Sequence, residues 1–299
     1  MRAADVAFCA VVACAFACHD SNKSDAAPAV SIANVTFSAA PGGSVHVTPE
    51  PHGPTVCRVI ELRGGVDQKP VAPKNGEPIG EGFATLASGA HLAIKNGTTT
   101  RETIFDGPGS VRSCVSGEEE FWMPTGAFTS VFGAGDTPGS EVWIVTPHVV
   151  VRYGSGAQIK VLSSTSKANV KLTSGGAWAF PIGSMTPLEA GTPHEQDGWV
   201  EVPGNGSLEF VSKRAPSQVV GECELAAKKA HDLAIAIGTR DASLSDAAPK
   251  HVVARRRAHA LCSVAELVAD TSLDPVERER LLPLARAGST RWRDSSANP

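Results

Sequence analysis

The sequence predicts a mainly β protein with a C-terminal α-helical part, and two observations carry this prediction. The first is the stretch 142–180, in which apolar and polar residues alternate in short runs broken by glycine, proline and serine, as in half-buried strands. The second is a change of composition near residue 215, after which helix-forming residues dominate. A chain of 299 residues with 29 Gly and 21 Pro is long enough for two domains and rich in turns.

The first eighteen residues predict a lipoprotein-type signal peptide. Met1-Arg2 is a short positive start, and the apolar run from Val6 to Ala17 is too short to span a bilayer as a helix. Cys14 and Cys18 each resemble the lipid-modified cysteine of a bacterial lipobox. We expect lipidation at Cys18, which suits the length of the apolar run, with Cys14 as the alternative; a plain secretory signal or a buried helix also fits.

Residues 19–29 turn polar and small, which predicts a flexible tether. A lipid on the preceding cysteine would hold the protein at a membrane surface without inserting its body into the bilayer. The partner expected from this segment is therefore a membrane, contacted through the N-terminal anchor.

Four cysteines follow the signal, and an even number in an exported chain predicts disulfides. They are Cys57, Cys114, Cys223 and Cys262. Four cysteines allow three connectivities, and pairing within each part is the economical choice because two fall in the β-rich part and two in the helical part. The alternative is that some of them are buried free thiols.

Residues 30–214 predict a β-rich domain. Alternating runs on both sides of the central stretch predict strands at 30–37, 44–49, 57–66, 83–114 and 198–214. Three prolines and Asn75-Gly76 make 67–81 a surface connection, and Asp106 to Gly109 is predicted to be a turn between two strands.

Residues 216–292 predict a helical domain built on a helical hairpin. Apolar stripes indicate helices from Ser217 to Gly238, from Pro249 to Ala269, and from Pro275 to Ala287. The first two each carry one cysteine, which would form a stapled hairpin. The run at 255–257 is three arginines, but residues 216–299 hold 12 Lys and Arg against 11 Asp and Glu, so we expect a solvated helix face and no nucleic-acid partner.

No constellation predicts catalysis, a metal or a cofactor. Glu118-Glu119-Glu120 is the pattern of a solvated loop, because adjacent acids point in different directions. The glycines at 133–139 indicate a β-turn loop in preference to a phosphate loop, since no helical pattern follows them. A zinc set of Cys223, His231, His259 and Cys262 is conceivable, but its spacing favours a disulfide with two ordinary histidines.

Residues 86–180 resemble the FecR-like domain, the periplasmic region of bacterial FecR-type iron-transport regulators. The segments that carry the resemblance are LASGAHLAIKNG, IFDGPGSV, VTPHVVVRYGSGAQIKV and VKLTSGGAW. The resemblance implies a β-sandwich or a short β-solenoid. The regulators carry a cytoplasmic anti-sigma segment and a transmembrane helix ahead of this domain, and here a lipoprotein-like signal replaces both, so direct sigma-factor control is not expected.

We expect a non-enzymatic, lipid-anchored protein of the bacterial cell envelope, either a periplasmic or an outer-membrane lipoprotein, which binds, scaffolds or senses an envelope protein or a glycan. One alternative is an enzyme acting on envelope carbohydrate or peptidoglycan, for which Trp122, Trp143, Trp178 and Trp199 are candidates for an aromatic platform. Core packing is the default for Trp143 and Trp178, which sit in strand patterns. Another alternative is a component of a sigma-regulator-like signalling system.

Overall fold

The fold is mainly β with three C-terminal helices, as predicted. The computed structural model describes residues 31–32, 35–39, 45–49, 57–69, 72–96, 102–115, 119–131, 141–154, 156–188, 194–239 and 244–294. The chain divides into two compact units, 1–50 and 51–299. Within the first unit, an antiparallel three-stranded sheet is formed by β1 (Ser31–Ile32), β2 (Val35–Ala39) and β3 (Val45–Pro49). The signal peptide, the tether, Cys14 and Cys18 lie outside the described residues.

The second unit holds a fifteen-stranded sheet and the helices. Its strands up to the long central one are β4 (Cys57–Arg63), β5 (Val66–Gln68), β6 (Ala84–Leu86), β7 (His91–Asn96), β8 (Glu102–Arg112) and β9 (Glu120–Val131). The later strands are β10 (Val142–Val145), β11 (Val149–Tyr153), β12 (Gln158–Ser163), β13 (Ala168–Ser174), β14 (Ala177–Pro181), β15 (Ser184–Pro187), β16 (Glu195–Gln196), β17 (Trp199–Glu201) and β18 (Ser207–Val211).

Strand β9 is the branch point of this sheet. One of its edges pairs with β8, and the other edge is shared by two strands. The N-terminal half of β9 pairs with β10 in parallel, and its C-terminal half pairs with β12 antiparallel. From there the sheet continues in two arms, β12-β13-β18-β15 and β10-β11-β14-β17-β16. The central stretch 142–180 is five strands, so its predicted β character is confirmed.

The turn predicted at Asp106 to Gly109 is wrong, because these residues lie inside β8. The first half of β8 pairs with β7 and the second half with β6, and the register against β9 shifts between Asp106 and Ser110. The glycines here meet neighbouring backbone, since a Cβ on Gly109 would lie 2.6 Å from the Cα of Gly126. The residues that indicate a turn therefore serve a β-bulge and a close strand approach.

The C-terminal part has three helices, α1 (Pro216–Gly238), α2 (Leu244–Asp270) and α3 (Pro275–Asp294), each in contact with the other two. Two predicted boundaries are wrong: α2 begins before Pro249, and α3 continues past Ala287. Packing explains both, because Ala247 and Trp292 are buried and extend the helices that carry them. None of the helices in the described ranges is long and apolar enough to cross a bilayer.

Strands β4 to β9, the strands of the first arm and the inner face of the second arm enclose one hydrophobic core. The outer face of the second arm packs against the helices in another. Residues alternate between these cores along β10, β11 and β14. Ile144, Val151 and Ala179 face the inner core, whereas Trp143, Val150 and Phe180 face the helices. This second face carries the polar residues that form the candidate site.

Candidate functional site

Five side chains form a row across the helix-facing side of the sheet. Strand pairing places Glu120 beside Trp143, Trp143 opposite Arg152, Arg152 opposite Trp178, and Trp178 opposite Glu201. We call these five residues the cross-strand row. Because directly paired residues project from the same face of a sheet, the row runs from β9 to β17 on the side that the helices pack against.

The β9 end of the row is buried and holds a carboxylate. Glu120 is 1% exposed, and its two oxygens accept hydrogen bonds from three side chains. The Trp122 indole Nε1–H donates at 2.6 Å, His259 Nε2 lies 2.9 Å away, and the Ser263 side chain also hydrogen-bonds the carboxylate. His259 and Ser263 belong to α2, so this carboxylate joins the sheet to the helices.

The imidazole of His259 is held between two indoles. Its ring centroid is 4.0 Å from that of Trp143 and 4.7 Å from that of Trp292, with interplanar angles of 25° and 24°. Trp143 comes from β10 and Trp292 from α3, so this stack joins three elements. Both indole planes lie within about 25° of the imidazole plane, so the stack fixes the orientation of the ring that binds Glu120.

The carboxyl of Glu120 is held in its charged form. Burial alone raises its pKa, but the charge of His259 and the three hydrogen bonds outweigh burial, so the pKa lies below its ordinary value of 4.5. Removing one partner of such a buried pair leaves an uncompensated polar group, and this makes the cluster sensitive to substitution. At 1% and 6% exposure, Glu120 and His259 are out of reach of a substrate.

The interpretation of the acidic run as a solvated loop is wrong for Glu120. The residue is the first of strand β9 and alternates with Phe121, which faces the inner core, while Trp122 shares its face. The sequence signal for this buried position is a carboxylate directly before the apolar residues of a strand. Its partner is 139 residues away, and sequence reasoning treated His259 as an ordinary histidine.

The β17 end of the row is open at the margin of the helices. Trp178 is half-buried and Glu201 is exposed. Arg152 lies between this end and the buried one: its Nη1 donates to Glu141 Oε1 at 2.7 Å, and its guanidinium lies over the rings of Trp178 and Trp199 at 5.6 and 4.9 Å. These contacts fix the guanidinium, although burial lowers the pKa of Arg152.

A cleft of about 70 Å³ opens where this margin meets α2. Its sheet side is formed by Arg152, Trp178 and Trp199, and its helix side by Val253 and Arg256. The cleft continues the cross-strand row beyond the edge of the helical cover. It therefore combines ring surface with charged groups in a position that solvent reaches.

The third side of the cleft is a tight hairpin. Gln196 pairs with Trp199, and the two residues between them, Asp197 and Gly198, have φ values of 56° and 81°. Left-handed conformations at both positions define the Asp-Gly turn that joins twisted strands most closely. The positive φ of Gly198 is one that other residues rarely adopt, so glycine allows the tight turn that places Gln196 and Asp197 beside the cleft.

The four tryptophans do not form an exposed platform. Trp122, Trp143 and Trp199 are 1%, 6% and 3% exposed and pack between the sheet and the helices. The default of core packing is therefore confirmed for Trp143. Trp178 and Trp199 both line the cleft, and Trp178 is the more exposed of the two.

A second buried histidine links the sheet to the segment before α1. His148 is 2% exposed; its Nε2 lies 3.0 Å from the Ser164 carbonyl, and its Nδ1 accepts the Ser212 backbone N–H at 3.1 Å. A ring that donates from one nitrogen and accepts at the other is neutral. Burial lowers the pKa of His148 below its ordinary value of 6.5, although the Ser164 hydrogen bond opposes this.

The structure pairs the cysteines within each part, as economy of pairing predicts. Cys57 of β4 and Cys114, just after β8, are at disulfide distance with Cα atoms 6.1 Å apart, and Cys223 and Cys262 are at disulfide distance in the helices with Cα atoms 4.7 Å apart. The conceivable zinc set is thereby dispersed, since its fourth member His259 binds Glu120. Within the described ranges, no group of three or more His, Cys, Asp or Glu side chains is placed to hold a metal ion.

The arginines at 255–257 all belong to α2 but differ in their surroundings. Arg256 and Arg257 are exposed, as a solvated face requires, and Arg257 lies over the Phe180 ring at 5.8 Å. Arg256 lines the cleft, with its Nη2 3.6 Å from Glu141 Oε1. The glycine-rich segment 133–139 lies outside the described residues.

The chain matches no protein-family model, no curated protein and no solved structure.

Proposed function

We propose that this protein is an exported, lipid-anchored protein of the bacterial cell envelope whose folded body binds a partner and does not catalyse a reaction. The two disulfide-distance cysteine pairs carry the proposal. One joins β4 to the segment just after β8 and one joins α1 to α2, so both halves of the body are suited to an oxidising compartment. The lipobox-like cysteines supply the anchor in this proposal.

The site supports a binding role. The polar cluster with the shifted pKa, around Glu120, is enclosed between sheet and helices, where it stabilises their contact. The groups that solvent reaches are those of the cleft, where ring surface, guanidinium, amide and carboxylate converge. Convergent polar groups beside an aromatic ring are a common basis of recognition.

The finer part of the proposal is that residues 86–180 form a FecR-like core. Strands β6 to β14 occupy this segment, with β9 as their common branch point. In this proposal, the helices cover one arm of that core and create the cleft, so the partner is recognised at the margin of the core and not within it.

Mass spectrometry of the membrane fraction tests the anchor. The full chain is expressed in a bacterial host, and the N-terminal peptide is analysed for acyl modification. We expect lipid on Cys18, and we expect Cys18→Ala, but not Cys14→Ala, to release the protein into the soluble fraction. A membrane-fraction protein carrying no lipid on either cysteine would contradict the proposal.

The non-enzymatic part has its own test. The purified full chain in detergent is incubated with peptidoglycan and with oligosaccharides, and soluble products are separated by chromatography. We expect no products. Hydrolysis that a single polar substitution abolishes would overturn this part and leave the anchor untouched.

A further inference from the structure

The cleft at the open end of the cross-strand row has a mixed set of hydrogen-bonding groups. Arg256 brings only donors, Asp197 only acceptors, and Gln196 brings both. Ligand hydroxyl groups are both donors and acceptors, so they match such a set. A ligand with only acceptors would offer the Asp197 carboxylate no donor.

The charges of the cleft balance. Its two guanidinium groups, Arg152 and Arg256, are matched by the carboxylate of Asp197 on the rim and by Glu141, which lies 2.7 Å from one guanidinium and 3.6 Å from the other. A cleft that concentrates an anion needs an excess of positive charge, which is missing among the groups that line this cleft or pair with its guanidinium groups; Arg257, near the Gly198 turn, does not line the cleft and lies over the Phe180 ring. The balance favours a neutral ligand.

The groups differ in how much of their hydrogen-bonding capacity is taken. Arg152 is held by Glu141 and by two indoles. The Arg256 side chain is 44% exposed, and its 3.6 Å approach to Glu141 is longer than a hydrogen bond. Arg256 therefore has N–H groups to offer a ligand, whereas Arg152 serves as a fixed support for the rings.

The size and the ring surface limit the ligand further. About 70 Å³ is well below the roughly 300–1,000 Å³ of enclosed sites for small molecules, so the cleft takes one edge of a larger molecule. Trp178 supplies a half-exposed apolar ring, of which a ligand can use the surface that Arg152, over the ring at 5.6 Å, and the edge-on His194 ring at 6.2 Å leave uncovered. The C–H face of a sugar ring stacks on such a surface while the hydroxyl groups at its edge reach the polar rim.

We infer that this cleft binds a neutral saccharide unit of a glycan chain, with Trp178 under the sugar ring and Arg256, Gln196 and Asp197 on its hydroxyl groups. This inference rests on the proposed binding role and names its ligand class. It does not depend on the lipid anchor. The tight Asp-Gly turn places two of the three polar residues at the cleft in the absence of a ligand.

An array of oligosaccharides tests the inference with the full chain in detergent. The array carries neutral oligomers of N-acetylglucosamine, glucose, galactose and mannose, together with uronic-acid oligomers. We expect binding to at least one neutral oligomer. Trp178→Ala and Arg256→Ala should each weaken it by about tenfold, the loss that accompanies one good contact.

Two variants serve as matched controls. Trp178→Phe keeps an aromatic face and should stay within about threefold of the parent, and Arg280→Ala removes an exposed arginine of α3 outside the cleft and should bind unchanged. Thermal melting of each variant distinguishes a lost contact from a lost fold. If Trp178→Ala does not fold, the binding measured for Arg256→Ala decides whether the inference holds.

Three results would overturn the inference: no binding to any neutral oligomer, binding to uronic-acid oligomers alone, or binding that survives both alanine variants. Release of shorter products from a bound oligomer would instead overturn the non-enzymatic proposal and leave the saccharide site in place. The two failures are therefore distinguishable in one series of measurements.

Discussion

At one end of the cross-strand row Glu120 is enclosed beneath α2, whereas at the other end Glu201 is exposed beside the half-buried Trp178. Both are carboxylates on the same face of the same sheet. Glu120 has a hydrogen-bond donor on each side and a lowered pKa, whereas Glu201 is open to solvent. A polar residue of the row stabilises the fold where the helices cover it and is available to a ligand where they do not. Its position along the sheet does not decide this.

The difference has a physical origin. A carboxylate removed from water is tolerated only when hydrogen bonds and an opposite charge replace its hydration. His259, Trp122 and Ser263 do this at the buried end, and they specify one seating of α2 on the sheet. At the open end no such requirement holds, so ring and polar groups keep their capacity for a partner.

Replacing the carboxylate should cause a large loss of stability at the buried end of the row and almost none at the open end. Glu120→Ala leaves His259 and Trp122 without their acceptor, and we expect it to lower the free energy of unfolding by about 3–5 kcal/mol. Glu201→Ala should change it by less than about 0.5 kcal/mol, as exposed positions do. Urea denaturation followed by tryptophan fluorescence measures both, and comparable losses at the two ends would break the comparison.

The disulfide of the helical cover should matter next. Cys223 and Cys262 close a sequence separation of 39 residues between α1 and α2, and replacing both by alanine should cost about 2–4 kcal/mol. We expect faster amide hydrogen exchange in α2 around His259 in the same variant. Unchanged exchange there would mean that the helices hold the buried end without this link.

The seating of α3 can be tested with two glycines in helices. A Cβ on Gly288 would collide with Cys223 Sγ and lie 3.4 Å from Cys262 Sγ, whereas a Cβ on Gly221 in α1 would meet nothing within 4 Å. Gly288→Ala should therefore destabilise the protein by about 1–3 kcal/mol through overpacking. Gly221→Ala should stabilise it by up to about 1 kcal/mol through helix propensity, and thermal melts that shift in the same direction would contradict this packing.

Lowering the pH should weaken two buried contacts in turn, first that of His148 and then that of Glu120. The pKa of His148 is lowered, so its contribution to stability is complete above its ordinary value of 6.5 and is lost as the pH falls through the folded-state value. The pKa of Glu120 is also lowered, so its contribution is complete above 4.5 and is lost at lower pH. Unfolding measured from about pH 7 to about pH 3 should show both losses.

Each step can be assigned with one variant. His148→Gln should flatten only the upper step, which reports the link between β11 and the Ser212 backbone before α1. Glu120→Gln should flatten only the lower step, which reports the link between β9 and α2. A profile that neither variant alters would mean that other groups govern acid unfolding.

The local sequence pattern and the even number of cysteines predict much of this fold and little of its candidate site. Alternation in the stretch 142–180 predicts strands because each strand is covered on at least one face, and the division of the cysteines predicts their pairing. The turn residues at 106–109 mislead because a bulge uses the same residue types as a turn. The pairing of Glu120 with His259 spans 139 residues, and the parallel β9–β10 contact that positions it has no local signature.

The open end was only partly predictable for a related reason. The four tryptophans are distinguishable in sequence by strand context, but which of them the helices leave uncovered depends on where α2 crosses the sheet. Arg256 belongs to a run that indicates a solvated face, and it is exposed as expected. Its place beside Trp178 and Gln196 follows only from the docking of the helices.

A double-mutant cycle on the buried pair tests the central claim most directly. The free energy of unfolding is measured for the parent, for Glu120→Gln, for His259→Asn and for the double variant. If the two residues join the sheet to α2 as a unit, the double variant should depart from additivity by about 1–3 kcal/mol. Additivity within about 0.3 kcal/mol would contradict the claim, because Glu120 and His259 would then contribute to stability independently.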